Sequence, residues 1–166
     1  MTQRSPKWYH ILVACLLYPL LFLVVRHIPN PMVPDAIIAL NMIIPVLAGF
    51  LFGPISGAIS GGAGTALSAL VYASQFDSLA IFSHTIMGFI AGVVGKSRSE
   101  FKTAPTILIG HVLNIVLYTL FGLLTITGEN LEPILLGLAS EATVDVVAIL
   151  FVAALLKKPL YCDQRL

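Results

Sequence analysis

The chain has 166 residues, of which 58% are hydrophobic and 10% are charged, and its net charge is +1. Soluble domains carry roughly 25% charged residues, so this composition excludes an ordinary soluble protein and indicates a membrane protein. The net charge gives no case for nucleic-acid binding, which needs a clustered basic face. The length fits one membrane domain, residues 1–166, without an added soluble domain.

The first hydrophobic stretch, from about Tyr9 to Val25, is longer than the apolar core of a usual signal peptide. The residues that follow it are Arg26-His27-Ile28-Pro29, where a cleavage site would need small side chains. We therefore predict a retained helix.

A transmembrane helix needs roughly 20 apolar residues. Six stretches qualify: 9–26, 35–52, 54–73, 79–95, 104–127 and 131–156. Turn-forming or polar segments separate them: Pro29, Pro31 and Pro34, then Gly53-Pro54, then residues 75–78, 96–103 and 128–130. The sequence therefore predicts an all-α integral membrane protein, a compact bundle of six transmembrane helices.

The third stretch is unusual because 13 of the 20 residues from 54 to 73 are Gly, Ala, Ser or Thr. Such side chains gain little from lipid tails but let neighbouring helices approach closely. We therefore expect this helix to be buried in protein rather than to face lipid.

Charge predicts the orientation. With six spans, one side of the membrane holds both termini and eight of the nine basic residues: Arg4, Lys7, Lys96, Arg98, Lys102, Lys157, Lys158 and Arg165. The other side holds Arg26 with four acidic residues: Asp35, Asp77, Glu129 and Glu132. The positive-inside rule predicts cytoplasmic termini in the plasma (inner) membrane. On the outer side, the proline-rich segment 26–34 is either a stiff cover over the bundle or an ordinary loop.

Six polar side chains fall within the predicted helices: Asn41, His84, His111, Asn114, Glu141 and Asp145. Ionisable groups in a membrane are costly, usually face the bundle interior and often mark function. Glu141 and Asp145 share one helix face, while His111, Asn114 and Tyr118 share a face of the preceding helix. The two sets reach similar depths, so hydrogen bonds between them are expected. They form either a proton-linked or cation-recognising cluster or a neutral clip between two helices.

At 1.5 Å per residue, Asn41 and His84 lie within about two turns of the outer face. Together with Tyr72 and Gln75 on the neighbouring helix end, they are candidates for contacting a ligand that enters from outside. The alternative is that they are interfacial side chains that meet water.

No catalytic constellation is found in the sequence. His-Glu-x-x-His, Gly-x-Ser-x-Gly and Walker patterns are absent, so we predict no enzymatic activity and no hydrolysis of ATP by this chain. The spacing of the His and acidic residues matches no standard metal motif, so no metal and no cofactor is predicted. Cys15 and Cys162 are too far apart to indicate a disulfide framework.

The segments Gly49-Phe-Leu-Phe-Gly-Pro-Ile-Ser-Gly-Ala-Ile-Ser-Gly61 and Gly88-Phe-Ile-Ala-Gly-Val-Val-Gly-Lys96 resemble the substrate-binding S-components of energy-coupling factor (ECF) vitamin transporters. The motif spans about 50 residues, and the length and the six-helix topology are also similar. The resemblance implies that a small molecule binds near the outer face, beneath the loop joining the first two helices. It also implies partners: a transmembrane coupling subunit and two ATPase subunits.

Carried over to this sequence, the resemblance makes residues 26–34 the lid. It makes Asn41, His84 and Tyr118 pocket residues. It also implies that small residues on the cytoplasmic halves of the helices contact the coupling subunit. The family's Ala-x-x-x-Ala docking motif in the first helix is absent, because Tyr18 stands four places after Ala14 and Pro19 follows. The chain therefore either docks through another surface or acts without the usual ATPases.

The leading hypothesis is a membrane-embedded substrate-binding subunit for uptake of a vitamin-like molecule. The alternative is a non-transporting membrane scaffold of the same fold, similar in size to rod-shape-determining membrane proteins. A membrane enzyme would need His111, Glu141 and Asp145 to form its active site.

Overall fold

The computed structural model describes residues 8–30 and 37–162, with side chains described as far as residue 156. The described part of the chain is built from six helices. They are α1 (Trp8–Val25), α2 (Leu40–Phe52), α3 (Pro54–Tyr72), α4 (Gln75–Gly95), α5 (Glu100–Leu120) and α6 (Leu131–Cys162). Five of them are long and apolar enough to cross a membrane, and α2 is a shorter apolar helix. The prediction of an all-helical, six-helix membrane bundle is confirmed.

Several predicted helix ends were wrong, among them the start of α5, which is Glu100 rather than residue 104, and two of the differences have a local cause. Helix α4 begins at Gln75 rather than at residue 79, because Ser74 caps it: the Asp77 N–H donates to Ser74 Oγ at 3.1 Å. Helix α5 ends at Leu120 rather than at residue 127. Gly122 adopts a left-handed conformation (φ 72°), which lets the Leu123 N–H donate back to the Tyr118 carbonyl at 2.8 Å. Helix α6 continues beyond residue 156 to Cys162.

Helix α2 is short because its start is not helical. Pro29 and Ile37 form an isolated antiparallel bridge, and the Ile38 N–H donates to the Ile28 carbonyl at 3.1 Å. A 3-10 turn, Leu40–Met42, then leads into the α-helical part, Ile43–Phe52. Thirteen helical residues span about 20 Å, less than the roughly 30 Å of a hydrocarbon core. The backbone that precedes α2 must therefore find polar partners elsewhere in the protein.

Glycines bring α3 and α4 into the most extensive helix contact of the bundle. The backbones of Gly57 and Gly88 touch, so that a methyl group built on either would overlap the other. A methyl group on Gly49 of α2 would lie 2.8 Å from Gly92 N, closer than a real side chain approaches. Helices α2, α3 and α4 therefore pack backbone to backbone, the arrangement that small residues allow in membranes.

The expectation that α3 is buried in protein rather than facing lipid holds for one face only. The buried residues of this helix are all small, and among them Ser60, Thr65 and Ser68 are fully buried. Its large apolar residues Ile55 and Leu70 are mostly exposed, which suits contact with lipid. The helix is therefore two-sided, with a glycine-rich face for its neighbours and an aliphatic face for the membrane.

A core of larger side chains fills the space between α2, α4, α5 and α6. Its members are Met42, Ile43, Val46, Leu47, Phe50, Met87, Ala91, Ala104, Ile107, Ile149 and Ala153. Some predicted features lie outside the described residues: the lid residues 31–34, the start of the second stretch at 35–36, and Arg4, Lys7, Asp35 and Arg165.

Candidate functional site

A partly open cavity of about 220 Å³ lies between the start of α2, helix α5 and helix α6. Its lining residues are Asn30, Ala39, Met42, His111, Asn114, Ile115, Tyr118, Leu124, Ile134, Gly137, Leu138 and Glu141. The cavity thus combines aliphatic walls with a small set of polar groups, as small-molecule sites usually do. These described lining residues include no Lys or Arg that could pair with an anionic ligand.

Glu141 of α6 is hydrogen-bonded to the non-helical backbone just before α2. Its Oε1 accepts the Ala39 N–H at 2.8 Å, and its side chain remains 17% exposed toward the cavity. This is the polar partner that the non-helical backbone before α2 requires. The cavity wall therefore depends on a carboxyl group that also meets the cavity interior.

Asn30 forms a second link between the first connection and α6. It is buried, its Nδ2 donates to the Gly137 carbonyl at 3.3 Å, and its Oδ1 accepts from Ser140 Oγ at 3.3 Å. Asn30 therefore attaches the described end of the first connection, residues 26–30, to α6, which forms one wall of the cavity.

His111, Glu141 and Asp145 lie together, and the first two line the cavity. His111 Nε2 and Asp145 Oδ2 are 2.9 Å apart, and His111 Nδ1 and Glu141 Oε2 are 4.0 Å apart. Asp145 is fully buried and does not line the cavity. Each of the three offers a ligand atom within 4.8 Å of the others. These groups can hold a proton, a cation or a polar ligand.

His84 is fully surrounded by protein in the middle of the bundle. Its Nδ1 lies 2.8 Å from Tyr18 Oη of α1 and 2.9 Å from Thr65 Oγ1 of α3, and its Nε2 lies 3.1 Å from Asn114 Nδ2 of α5. Ser83 Oγ donates to Asn114 Oδ1. Because α4 begins at Gln75, His84 is about 14 Å from the start of that helix, which is deeper than predicted. It reaches the cavity through Asn114 and does not line it.

The other proposed ligand contacts lie in different places. Tyr118 lines the cavity. Asn41 is buried in the 3-10 turn that opens α2, next to the lining residue Met42. Tyr72 donates to the Pro19 carbonyl at 3.0 Å between α3 and α1, and Gln75 is exposed as the first residue of α4 rather than at the end of α3. Among the described residues, the cavity is not lined by Asn41, His84, Tyr72 or Gln75.

Sequence reasoning missed several residues of the site. Asn30 and Ala39 belong to a connection without helical periodicity, so nothing in the pattern indicated their inward position. Tyr18 and Thr65 were read as parts of apolar or small-residue helices, although a hydroxyl within a span is itself a signal for a hydrogen-bond partner on another helix.

A second, larger groove of about 500 Å³ lies between α1, α2 and α6. Its walls are almost wholly apolar, with residues such as Leu17, Leu47, Val152 and Leu156. A groove with so few polar groups suits acyl chains or apolar side chains better than a polar small molecule. The smaller cavity is therefore the better candidate for the ligand site.

The comparison with known proteins agrees with this architecture. The family model described as ECF-type riboflavin transporter, S component, matches residues 8–161. Searches of curated proteins and of solved structures each find no match. The matched segment covers all six helices almost completely, which confirms the transporter-subunit hypothesis over the scaffold and the enzyme. The chain therefore belongs to the family of ECF-type riboflavin transporter S components and is a multi-pass, substrate-binding membrane subunit of a transporter rather than an enzyme.

Proposed function

We propose that this subunit binds riboflavin, or a closely related uncharged flavin, in the cavity between α2, α5 and α6. The family match supports the choice of vitamin. The observation that carries the proposal is the cavity lining: a small set of hydrogen-bonding side chains, aliphatic walls, and no Lys or Arg among the described lining residues. Such a lining suits a flat, neutral ring with donors and acceptors on one edge.

The side chains suggest how the ring is held. Asn114 and Glu141 are able to hydrogen-bond the polar edge of the flavin ring, because each keeps a polar group at the cavity wall. Met42, Ile115 and Leu138 supply apolar surface for its faces. The volume of about 220 Å³ is below the usual range of about 300–1,000 Å³ for small-molecule sites. The ribityl chain then extends through the open side of the cavity.

In this proposal the ligand enters from outside the cell, and both termini are cytoplasmic in the plasma (inner) membrane. The excess of basic residues on the side of the termini supports this orientation. Residues 26–34 act as the lid, and Asn30, which lies within them, is hydrogen-bonded to α6 at the cavity wall.

The partners in this proposal are a transmembrane coupling subunit and ATPase subunits, because this chain has no nucleotide-binding motif of its own. Docking does not use the face of α1 that carries Ala14 and Tyr18, since both side chains are buried and Tyr18 bonds to His84. Docking does not use Gly57 or Gly88 either, because these two glycines pack against each other within the chain. Co-purification of the tagged chain from its own membrane, followed by native mass spectrometry, tests for these partners.

Titration of purified, flavin-free protein with riboflavin tests the ligand, with quenching of the vitamin's own fluorescence as the signal. We expect saturable binding of one molecule per chain, and at least about tenfold weaker binding in Asn114→Ala, because a ligand group left without its partner costs about 1–3 kcal/mol. Tyr118→Phe probes a hydroxyl at the cavity, and Tyr72→Phe is its matched control outside the cavity. Absence of saturable binding, or unchanged binding in Asn114→Ala, would contradict the proposal.

A further inference from the structure

The cluster of His111, Glu141 and Asp145 combines two carboxyl groups with one imidazole. In the described part of the chain, Glu141 Oε1 accepts the Ala39 N–H, His111 Nε2 lies within hydrogen-bond distance of Asp145 Oδ2, and Asp145 Oδ1 is buried without any partner. A buried, unpaired carboxyl oxygen is costly, and a cation or a proton bound within the cluster offsets part of that cost.

Two atoms of the cluster are placed for a shared ligand. Asp145 Oδ2 lies 2.9 Å from His111 Nε2, and Glu141 Oε2 lies 4.0 Å from the other ring nitrogen, Nδ1. The second separation is too long for a hydrogen bond. Two atoms that bind one metal ion at 2.0–2.2 Å each are about 3–4 Å apart, so 4.0 Å is at the upper end of that range. An ion between Nδ1 and Oε2 is therefore within reach of both.

The Asp145–His111 pair has a further property of metal sites. A histidine that ligates a metal usually donates its other ring N–H to a carboxylate, which fixes the tautomer and the ring orientation. Asp145 is fully buried and lies in that position. Both His111 and Glu141 line the cavity, so an ion between them is accessible from it.

We propose that His111 Nδ1 and Glu141 Oε2 bind one divalent transition-metal ion, such as Zn²⁺ or Co²⁺, at the base of the cavity. Asp145 orients His111 and does not ligate the ion. Imidazole and carboxylate together favour a metal of this class over Mg²⁺ or Ca²⁺, which prefer oxygen ligands alone. The remaining coordination positions face the cavity, where water or a polar atom of the transported molecule completes them. This site shares Glu141 and the cavity with the flavin proposal but does not require it.

The test uses the full chain, purified through a tag without histidines and stripped with a chelator. Co²⁺ is titrated while its visible absorption is followed, Zn²⁺ is added in competition, and native mass spectrometry counts the bound ions. We expect one ion per chain, displaced by Zn²⁺ and not by excess Mg²⁺. His111→Gln and Glu141→Gln each weaken binding at least about tenfold, and Asp145→Asn weakens it about 10–100-fold. His27→Gln, an exposed histidine outside the cluster, leaves it unchanged.

Thermal unfolding of each variant checks that it is folded. If His111→Gln is unstable, Glu141→Gln still tests the site, because its side-chain carbonyl oxygen can accept the Ala39 N–H. The proposal is overturned if the stripped protein binds no stoichiometric ion, or if a folded His111→Gln or Glu141→Gln variant binds as the parent does. Loss of binding in His27→Gln also overturns it, because the ion is then held at the surface. Riboflavin titration of metal-free protein, run in parallel, keeps a failure here distinct from a failure of the flavin proposal.

Discussion

His84 Nε2 lies 3.1 Å from Asn114 Nδ2, so the cavity-lining amide of α5 is held by an imidazole at the centre of α4. The other ring nitrogen of His84 contacts hydroxyl groups of Tyr18 in α1 and Thr65 in α3. Four helices therefore meet at one side chain. Because the Tyr18 and His84 side chains are almost completely buried, water does not replace these bonds when one is lost.

Replacement of His84 is expected to lower stability sharply. His84→Ala leaves the Tyr18 and Thr65 hydroxyls and the Asn114 amide without their partner, at about 1–3 kcal/mol for each group left unpaired. The apparent melting temperature in detergent measures the effect. His27→Ala, which removes an exposed imidazole, serves as the control and is expected to unfold like the parent. A His84→Ala protein with the parent's melting temperature would mean that the network contributes nothing.

Glu141 is expected to stabilise the start of α2 through hydrogen bonding. Glu141→Gln keeps an oxygen for the Ala39 N–H, whereas Glu141→Ala leaves that donor unpaired. We therefore predict that the alanine variant is less stable than the glutamine variant by about 1–3 kcal/mol. Thermal unfolding of the two variants side by side measures the difference. Equal stability would show that water or another group satisfies the Ala39 N–H.

The contact between α3 and α4 is expected to tolerate no added methyl group. Gly88→Ala places a Cβ atom against the backbone of Gly57, and because backbone atoms move less readily than side chains, we expect a loss of at least about 1–3 kcal/mol. Gly128→Ala is the matched control, since a Cβ atom there meets nothing within 4 Å. The yield of folded monomer after extraction and the melting temperature are the readouts. If Gly88→Ala matched Gly128→Ala, the helices would pack less closely than described.

The cavity is expected to distinguish riboflavin from its phosphate ester. The two ligands share the same ring and differ by a dianionic group, and the described lining residues include no Lys or Arg to pair with it. Desolvation of an unpaired charge is unfavourable, so we predict that metal-free protein binds the phosphate ester at least tenfold more weakly, a difference of about 1.4 kcal/mol. Competition between the two compounds in the fluorescence assay measures this. Equal affinity would place the phosphate in solvent or next to a basic residue outside the described lining.

Much of the fold could be predicted from the sequence because lipid imposes simple requirements. The length of apolar stretches predicted the six helices, and Gly53-Pro54 marked the turn between α2 and α3, where Gly53 has φ 98° and Pro54 opens the next helix. The exposed face of α3 could not be predicted, because its composition does not show how Ile55 and Leu70 are oriented about the helix axis. The ends of α4 and α5 depended on Ser74 and Gly122, whose local effects require backbone angles.

The site was less predictable than the fold. Helix spacing brought His111 and Asp145 to similar depths, and the structure has them hydrogen-bonded. The partners of His84 lie 66 and 19 residues away along the chain, on helices whose rotation no pattern revealed. Asn30 and Ala39 reach the cavity from backbone outside the helices, about which helical periodicity gives no information.

The glycine contact of α3 and α4 lies apart from the cavity, which is formed by α5, α6 and the backbone before α2. Substitutions that alter ligand preference can therefore accumulate around the cavity without disturbing the closest helix packing in the protein. A relative with a different substrate is expected to keep small residues at the positions of Gly57 and Gly88 while its lining residues diverge. Exchanging the cavity-lining residues between two such proteins should then change which molecule is carried and leave assembly of the helix bundle intact.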